Sequence, residues 1–291
     1  MISVVITSKD EPSLEQTLES VCRATSELRQ DAEVIVVDAS EGRLDEIQKR
    51  YEDRVTWLAY KQPLGVRITI PHQRNVGVRA AHGDIIVFTD AGCIPENEWL
   101  ERLTSPLSEA EWMTHGLTLG AADGTKLHDR LAVNRLEARY LTECATGNTA
   151  FRREVFDAVD GFDETFAYGS DIDFSWRAVA AGYRIFAVRA AIVRHDWGSP
   201  KRQRRRTYVY GKARVRLYRK HPSRLNHVFR DDPMVVVYPL FLLGLPITFI
   251  FPLYPALLLV LVWRNRKDGG FKPVFDHLIF GLGVLAELFK G

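Results

Sequence analysis

A chain of 291 residues, 46% hydrophobic and 26% charged, is a globular protein of one or two domains, not a disordered or collagen-like one. Its formal charge of +2 averages over unlike stretches: residues 1–200 are mixed, 201–230 densely basic, and 233–263 apolar. Cys22, Cys93 and Cys144 are scattered, which excludes a disulfide framework or a cysteine-rich zinc site and suits a reducing cytoplasm. The N-terminal MISVVITSKDE lacks a basic n-region and does not read as a secretory signal.

The first ninety residues alternate strand-like and helix-like patterns. Ile2–Ile6 is a β-branched run, followed by a polar loop and by Leu14, Leu18 and Val21 at helical spacing. Glu33–Val37, Val55–Leu58 and Asp84–Phe88 read as further strands, with helices predicted over Leu44–Tyr51 and Val76–Ala81. Such alternation implies right-handed crossovers and a mainly parallel, Rossmann-like α/β sheet, whose ligands bind beyond the carboxyl ends of the strands. Thr7 and Ser8, Asp38, and Thr89 and Asp90 fall at those ends. Farther on, helices are expected near Trp99–Leu103, Leu127–Tyr140, Arg153–Val159 and Asp171–Ala181, with a strand near Ile185–Val188.

Three clusters carry chemistry. Asp90, directly after an aliphatic strand, is either a ligand for a divalent cation bridging two phosphates or a residue capping the turn. In Gly169-Ser170-Asp171-Ile172-Asp173-Phe174-Ser175-Trp176-Arg177, Asp171 and Asp173 are candidates for a general base. Ser170 and the acids also suit a helix N-terminus, and Asp173 stands i,i+4 from Arg177, so Asp173 is assigned to structure and Asp171 to chemistry. His195 is an ordinary packed histidine or the imidazole that completes a metal site.

In order and spacing these motifs resemble the family 2 glycosyltransferases with the GT-A fold, over roughly residues 1–200. The resemblance rests on Val4-Val5-Ile6-Thr7-Ser8, Val36-Val37-Asp38, Arg74-Asn75-Val76-Gly77, Ala81-His82-Gly83-Asp84, Thr89-Asp90-Ala91-Gly92, Gly147-Asn148, Gly161-Phe162-Asp163-Glu164, the Gly169–Arg177 segment and His195. It implies sugar transfer from a nucleotide-sugar donor, a UDP-sugar first among them, with inversion by single displacement and Mg2+ or Mn2+ on the diphosphate. By the same resemblance Thr7, Ser8, Asp38, Arg74 and Asp90 would hold the nucleotide, Asp90 and His195 the metal, and Asp171 would be the base. Gly147, Asn148 and Trp197 would line the sugar and acceptor side. The sequence departs from the family pattern twice. Gly92 replaces the second aspartate of the D-x-D, and Ser170 replaces an acid before the base, removing a like-charge neighbour that would raise the pKa of Asp171.

Residues 201–220 carry ten lysines and arginines from Lys201 to Lys220, interleaved with Tyr208, Tyr210 and Tyr218. Basic residues with aromatics can bind nucleic acid, but a position just before an apolar segment favours anionic lipid headgroups, and no nucleic-acid partner is expected. Pro233–Trp263 has no charged side chain and would be ~45 Å long as one helix, against a hydrocarbon core of ~30 Å. Pro239, Pro246, Pro252 and Pro255 oppose a straight helix, leaving a kinked span or a re-entrant hairpin; basic flanks favour the hairpin. The expectation is a catalytic domain at 1–200, a basic juxtamembrane segment at 201–232 and membrane-embedded helices at 233–291. The catalytic domain would be cytoplasmic, at the cell membrane, acting on an acceptor such as a polyprenyl-phosphate-linked sugar or glycolipid. The same residues also suit an inactive membrane-anchored nucleotide-sugar-binding scaffold and, less well, a nucleotidyltransferase, which the acidic, glycine-free Thr7-Ser8-Lys9-Asp10-Glu11 loop disfavours.

Overall fold

The computed structural model describes residues 1–66, 69–120, 133, 136–266 and 269–290. It divides into two units, Met1–Asp196 and Trp197–Gly291.

The first unit is a sheet ordered β3-β2-β1-β4-β8-β6-β9-β5, with β7 paired to β9. Its parallel core is β3 (Thr56–Ala59), β2 (Ala32–Asp38), β1 (Ile2–Ser8) and β4 (Ile85–Asp90). Beyond β4, β8 (Asn148–Arg152) runs antiparallel to both β4 and β6 (Met113–Gly120), and β9 (Ile185–His195) returns parallel to β6. The short strands β5 (Cys93–Pro95) and β7 (Tyr140–Leu141) both run antiparallel to β9.

Side chains alternate across each strand, and both faces are covered, which is why these strands read as continuous apolar runs. On one face Ile2, Val4, Ile6, Val34, Val36 and Val87 pack with α1 (Leu14–Ser26), α2 (Asp45–Tyr51) and α4 (Trp99–Glu109). On the other, Val5, Ile35, Val37, Ile86 and Phe88 meet α3 (Ile70–Ala80), α5 (Arg153–Ala158) and α6 (Ser170–Ala180).

Most expected elements recur with shifted ends. Helix α3 starts at Ile70 rather than Val76, because Pro71 suits a first turn and the polar Gln73, Arg74 and Asn75 are buried with partners of their own. The expected helix over Leu127–Tyr140 falls largely outside the described residues, and its last residue begins β7. Strands β5, β6 and β8 were not anticipated.

The helix α3 is fixed at several points. A Cβ on Gly77 would lie 2.3 Å from Val5 Cγ1, so glycine there lets the helix sit directly on β1. At its other end the Arg153 guanidinium donates to the carbonyls of Val78 (2.9 Å), Ala81 (2.7 Å) and Gly83 (2.8 Å), satisfying the acceptors that a helix C-terminus leaves open.

The second unit contains α7 (Pro200–Lys220), α8 (Val228–Asp231), α9 (Met234–Leu243), α10 (Leu257–Arg264) and α11 (Phe271–Leu288), with 3-10 turns at Pro222–His227, Leu245–Phe249 and Tyr254–Ala256. Of the expected membrane-embedded helices at 233–291, a helix that spans the bilayer is not supported. Among the described residues no helix is long and apolar enough to cross a membrane. Prolines account for the break: Pro246 and Pro255 sit in the first turns of the 3-10 segments and Pro252 between them, where each withholds a backbone donor.

Helices α7 and α11 pack through glycines. A Cβ on Gly283 would stand 2.0 Å from the Tyr208 carbonyl oxygen, and one on Gly211 2.1 Å from that of Phe280. Three of the ten cations are spent inside this unit: Arg216 (2.6 Å) and Lys212 (3.6 Å) pair with Glu287, and Arg214 (3.2 Å) with Asp232. The cations from Lys201 to Arg205 remain at the surface. Gly283→Ala must push α7 off α11, and overpacking of this kind costs about 1–3 kcal/mol. A lower unfolding temperature in calorimetry, with loss of helical ellipticity at lower denaturant, is the expected result.

Candidate functional site

The carboxyl ends of β2, β1 and β4 bring the first group of candidates together by register alone: Ser8 lies opposite Asp38, and Thr7 opposite Asp90. Asp38 is 5% exposed, and its Oδ1 accepts from Ser40 Oγ at 2.5 Å, which in turn accepts from the Asp10 N–H at 2.7 Å. Burial raises the Asp38 pKa above the ordinary carboxylate value, with the bond from Ser40 opposing it. Gln73, absent from the sequence-based candidates, clamps this edge: its Nε2 donates to the carbonyls of Ser8 (2.8 Å) and Val37 (2.7 Å), and its Oε1 accepts from Thr69. No periodicity marks such a residue, since a buried glutamine in a helix looks like a surface one in sequence.

Arg74 stands between the two halves of the site. It is 5% exposed, with Nη2 3.7 Å from Asp90 Oδ1 and Nη1 donating to Ser170 Oγ at 3.3 Å, while its guanidinium lies 5.4 Å from the centre of the Phe162 ring. The next residue, Asn75, exchanges hydrogen bonds with the Phe162 backbone, donating to its carbonyl at 2.9 Å and accepting from its N–H at 2.8 Å. Its Nδ2 also donates to Glu164, which pairs with His72 at 2.9 Å. The Arg-Asn and Gly-Phe-Asp-Glu motifs are thus one structure: the arginine faces the site, and the asparagine ties down the loop that carries its aromatic neighbour.

At α6 the cap expected of Ser170 is not made. Gly169, at φ +83°, is the N-cap, and the Ser170 hydroxyl accepts from Arg74 instead. Asp173 is fully buried and pairs with Arg177 at 2.8 Å; Arg177 also donates to the carbonyls of Val159 and Gly161. Asp171 is half-buried, and its Oδ1 accepts from the Ile172 N–H at 2.9 Å. Its pKa is raised, first by burial and also by the Asp90 charge, against the lowering effect of Arg74. The loss of an acid at position 170 therefore does not leave Asp171 with an ordinary acidity.

Gly147 belongs with Asp90: a Cβ there would sit 3.1 Å from Asp90 Oδ2. Asn148, expected to line the sugar and acceptor side, cannot touch a substrate, because it has no exposed surface. Its Nδ2 donates to the carbonyls of Leu117 and Ala191 and its Oδ1 accepts from Trp99 Nε1, so it fastens β8, β6, β9 and α4 together. His195 ends β9 opposite Cys93, beside the turn that follows Asp90. Trp197 opens the second unit and so lies outside the unit that holds the other candidates.

Among the described residues no three His, Cys, Asp or Glu side chains gather as a protein-only metal cage would require. The single carboxylate of Asp90 does fit a magnesium-type ion, which keeps water ligands and takes one or two carboxylates plus substrate phosphates. Gly92 itself has φ +90°, and its N–H donates to Thr17 Oγ1 at 2.9 Å. The turn is therefore built for glycine, and an aspartate there would strain the backbone.

Two family models match the chain: "Glycosyl transferase family 2" over residues 3–160 and "Glycosyl transferase family group 2" over residues 113–289. The chain belongs to glycosyl transferase family 2. A pre-mycofactocin glycosyltransferase from Mycobacterium tuberculosis is 27% identical over 165 residues, which are 52% of this chain and 35% of that protein. Glycosyltransferase AglE from Haloferax volcanii is 23% identical over 168 residues, 54% of each chain. Among solved structures, the mannosyltransferase PcManGT from Pyrobaculum calidifontis, in complex with GDP-Man and Mn2+, superposes with a TM-score of 0.73. It is 17% identical, and the match covers 99% of this chain and 87% of that one. At that identity the likeness speaks for the fold, which is GT-A.

Two predictions follow from this geometry. The folded-state pKa of Asp171 lies above its ordinary 3.8, so its charge penalises the fold above that raised pKa and not at all below the ordinary one. Asp171→Asn should raise the melting temperature at neutral pH, with the gain vanishing on acidification; a lower melting temperature at neutral pH would contradict the burial argument. Gly92→Asp should cost about 1–2 kcal/mol from the left-handed backbone it must adopt, measured by urea unfolding, and should not tighten metal binding in calorimetric titration.

Proposed function

We propose that the first unit transfers a sugar, with inversion, from a nucleotide-sugar donor to a hydroxyl of a membrane-borne acceptor, a polyprenyl-phosphate-linked sugar or glycolipid, at the cytoplasmic face of the cell membrane. The observation that carries the chemistry is Asp171: a carboxylate of raised proton affinity, at a helix start, electrostatically coupled to Asp90 through the shared cation Arg74. Asp171 takes the proton of the acceptor hydroxyl as its oxygen forms the new bond to the anomeric carbon, and the bond to the diphosphate breaks. Thr7, Ser8 and Asp38 hold the nucleoside. Asp90, with the bound diphosphate and His195, would hold Mg2+ or Mn2+, which when bound supplies positive charge to the leaving group. The nucleotide sugar and Mn2+ named with PcManGT support a donor and cation of this class. Gly147 leaves room beside Asp90 for the donor. The membrane-borne acceptor draws its support from the uncharged, outward-facing side chains of the second unit, since an enzyme with a soluble acceptor has no use for such a surface.

The test is Asp171→Asn. Donor turnover should fall by about 10²–10⁴-fold, while UDP, GDP or dTDP, whichever stabilises the wild type in the presence of Mn2+ or Mg2+, should stabilise the variant equally. In the wild type, kcat/KM should fall on acidification with an apparent pKa above 3.8, because the base is lost as it protonates. Unchanged turnover in the variant would remove Asp171 from catalysis. Absence of any nucleotide-dependent stabilisation in the wild type would favour the scaffold reading.

A further inference from the structure

The second unit exposes a run of large apolar side chains. Phe249 is 94% exposed and Ile250 89%, and Phe251, Leu253, Leu259 and Trp263 are each more than half exposed. These side chains belong to the stretch between Pro233 and Trp263, which contains no charged residue. Monomeric soluble proteins rarely show contiguous apolar patches beyond a few hundred Å².

From this surface we infer that α9, the two 3-10 turns and α10 form a wedge that enters one leaflet of a lipid bilayer and returns, leaving both flanks on the same side. The inference rests on the membrane part of the reading above and specifies its mode.

Three observations commit the surface to lipid. The first is length. Helix α9 has 10 residues and α10 has 8, or ~15 Å and ~12 Å of rise, against ~15 Å for half of a ~30 Å hydrocarbon core. Neither helix by itself is longer than half of the core.

The second is polar satisfaction. Hydrocarbon offers no hydrogen bonds, so an inserted turn must supply its own. The tip does so: the N–H groups of Ile247, Ile250, Phe251, Tyr254 and Ala256 donate to carbonyls three or four residues back. The Tyr254 hydroxyl donates to the Phe241 carbonyl at 3.0 Å, and that of Tyr238 is bonded to His277 Nδ1 at 2.9 Å.

The third is charge placement. Arg264 ends α10 and Arg266 follows it, while before the wedge Arg230 is paired with Asp231 at 2.7 Å. The Arg266 guanidinium stacks on Trp263 at 4.3 Å and donates to its carbonyl at 3.0 Å, an indole–cation pair suited to the headgroup boundary, where tryptophan and snorkelling arginine concentrate. Surface cations at the start of α7 add attraction for anionic lipid.

The experiment uses the full chain carrying Ile250→Cys. The native thiols are buried, and those of Cys93 and Cys144 are pushed up to about 12, so a maleimide reports on position 250 alone. Labelling by a membrane-impermeant maleimide is measured in detergent-free buffer and on phosphatidylcholine–phosphatidylglycerol vesicles, with reagent outside, inside or on both sides. The expected result is rapid labelling without vesicles and protection from both sides with them. Vesicle binding by flotation should weaken at least about tenfold in Phe249→Ser/Ile250→Ser, with nucleotide-induced thermal stabilisation unchanged. Labelling from inside the vesicle would overturn the one-leaflet mode in favour of a spanning hairpin. Full labelling with no flotation would overturn lipid as the occupant while leaving the proposed chemistry intact. Protection without vesicles that rises with protein concentration would assign the surface to a second copy of the chain.

Discussion

A guanidinium that is 5% exposed has to be surrounded by acceptors, and Arg74 organises the first unit around that requirement. Burying a cation costs several kcal/mol unless anions and hydrogen bonds compensate. Here Asp90 comes from the end of β4 and Ser170 from the start of α6, so the arginine couples two elements far apart in sequence. Its own position is set by the residues on either side: Gln73 on the strand ends, Asn75 on the Phe162 loop, and Gly77 against β1. The raised proton affinity of Asp171 belongs to the same balance, with burial pushing one way and Arg74 the other.

The parallel half of the sheet was legible because its information is local. Each of β1, β2 and β4 is an apolar run ending in a polar residue, so Thr7, Asp38 and Asp90 could be placed at one edge before any coordinates. The other half was not. Strands β6 and β8 pair with partners distant in sequence, and their residues, such as Thr114, Thr149 and Asn148, satisfy polar groups inside the sheet rather than alternating with solvent. Asn148 shows the cost: beside a glycine in a family motif it reads as a substrate contact, whereas its amide is spent on sheet carbonyls and Trp99. Gly92 is the converse case. Composition marks it as a missing acid, and only the backbone angle reveals a turn made for glycine.

In the second unit, composition misleads in a different way. The ten basic residues between 201 and 220 read as a juxtamembrane segment facing anionic lipid, yet Lys212, Arg214 and Arg216 serve two buried acids, Glu287 of α11 and Asp232 at the end of α8. What holds these helices close is the absence of side chains at Gly211 and Gly283, beside a buried cluster of Val215, Phe280 and Val284. Many of the unit's apolar residues nonetheless face outward, and Pro246, Pro252 and Pro255, which break its longest apolar run, decide that they are presented as short turns instead of one rod.

The antiparallel insertion of β8 between β4 and β6 has a consequence in time. Strands β1 to β4 are joined by successive crossovers, and all of their pairings lie within the first ninety residues. The β4–β8 register sets Thr89 against Asn148, a contact that exists only once the chain beyond β6 has been made. During synthesis from the N-terminus, the edge that bears Thr7, Asp38 and Asp90 can therefore assemble while the segment bearing Asp171 is still being made. The site is inherited from two stages of folding, and the late one completes it.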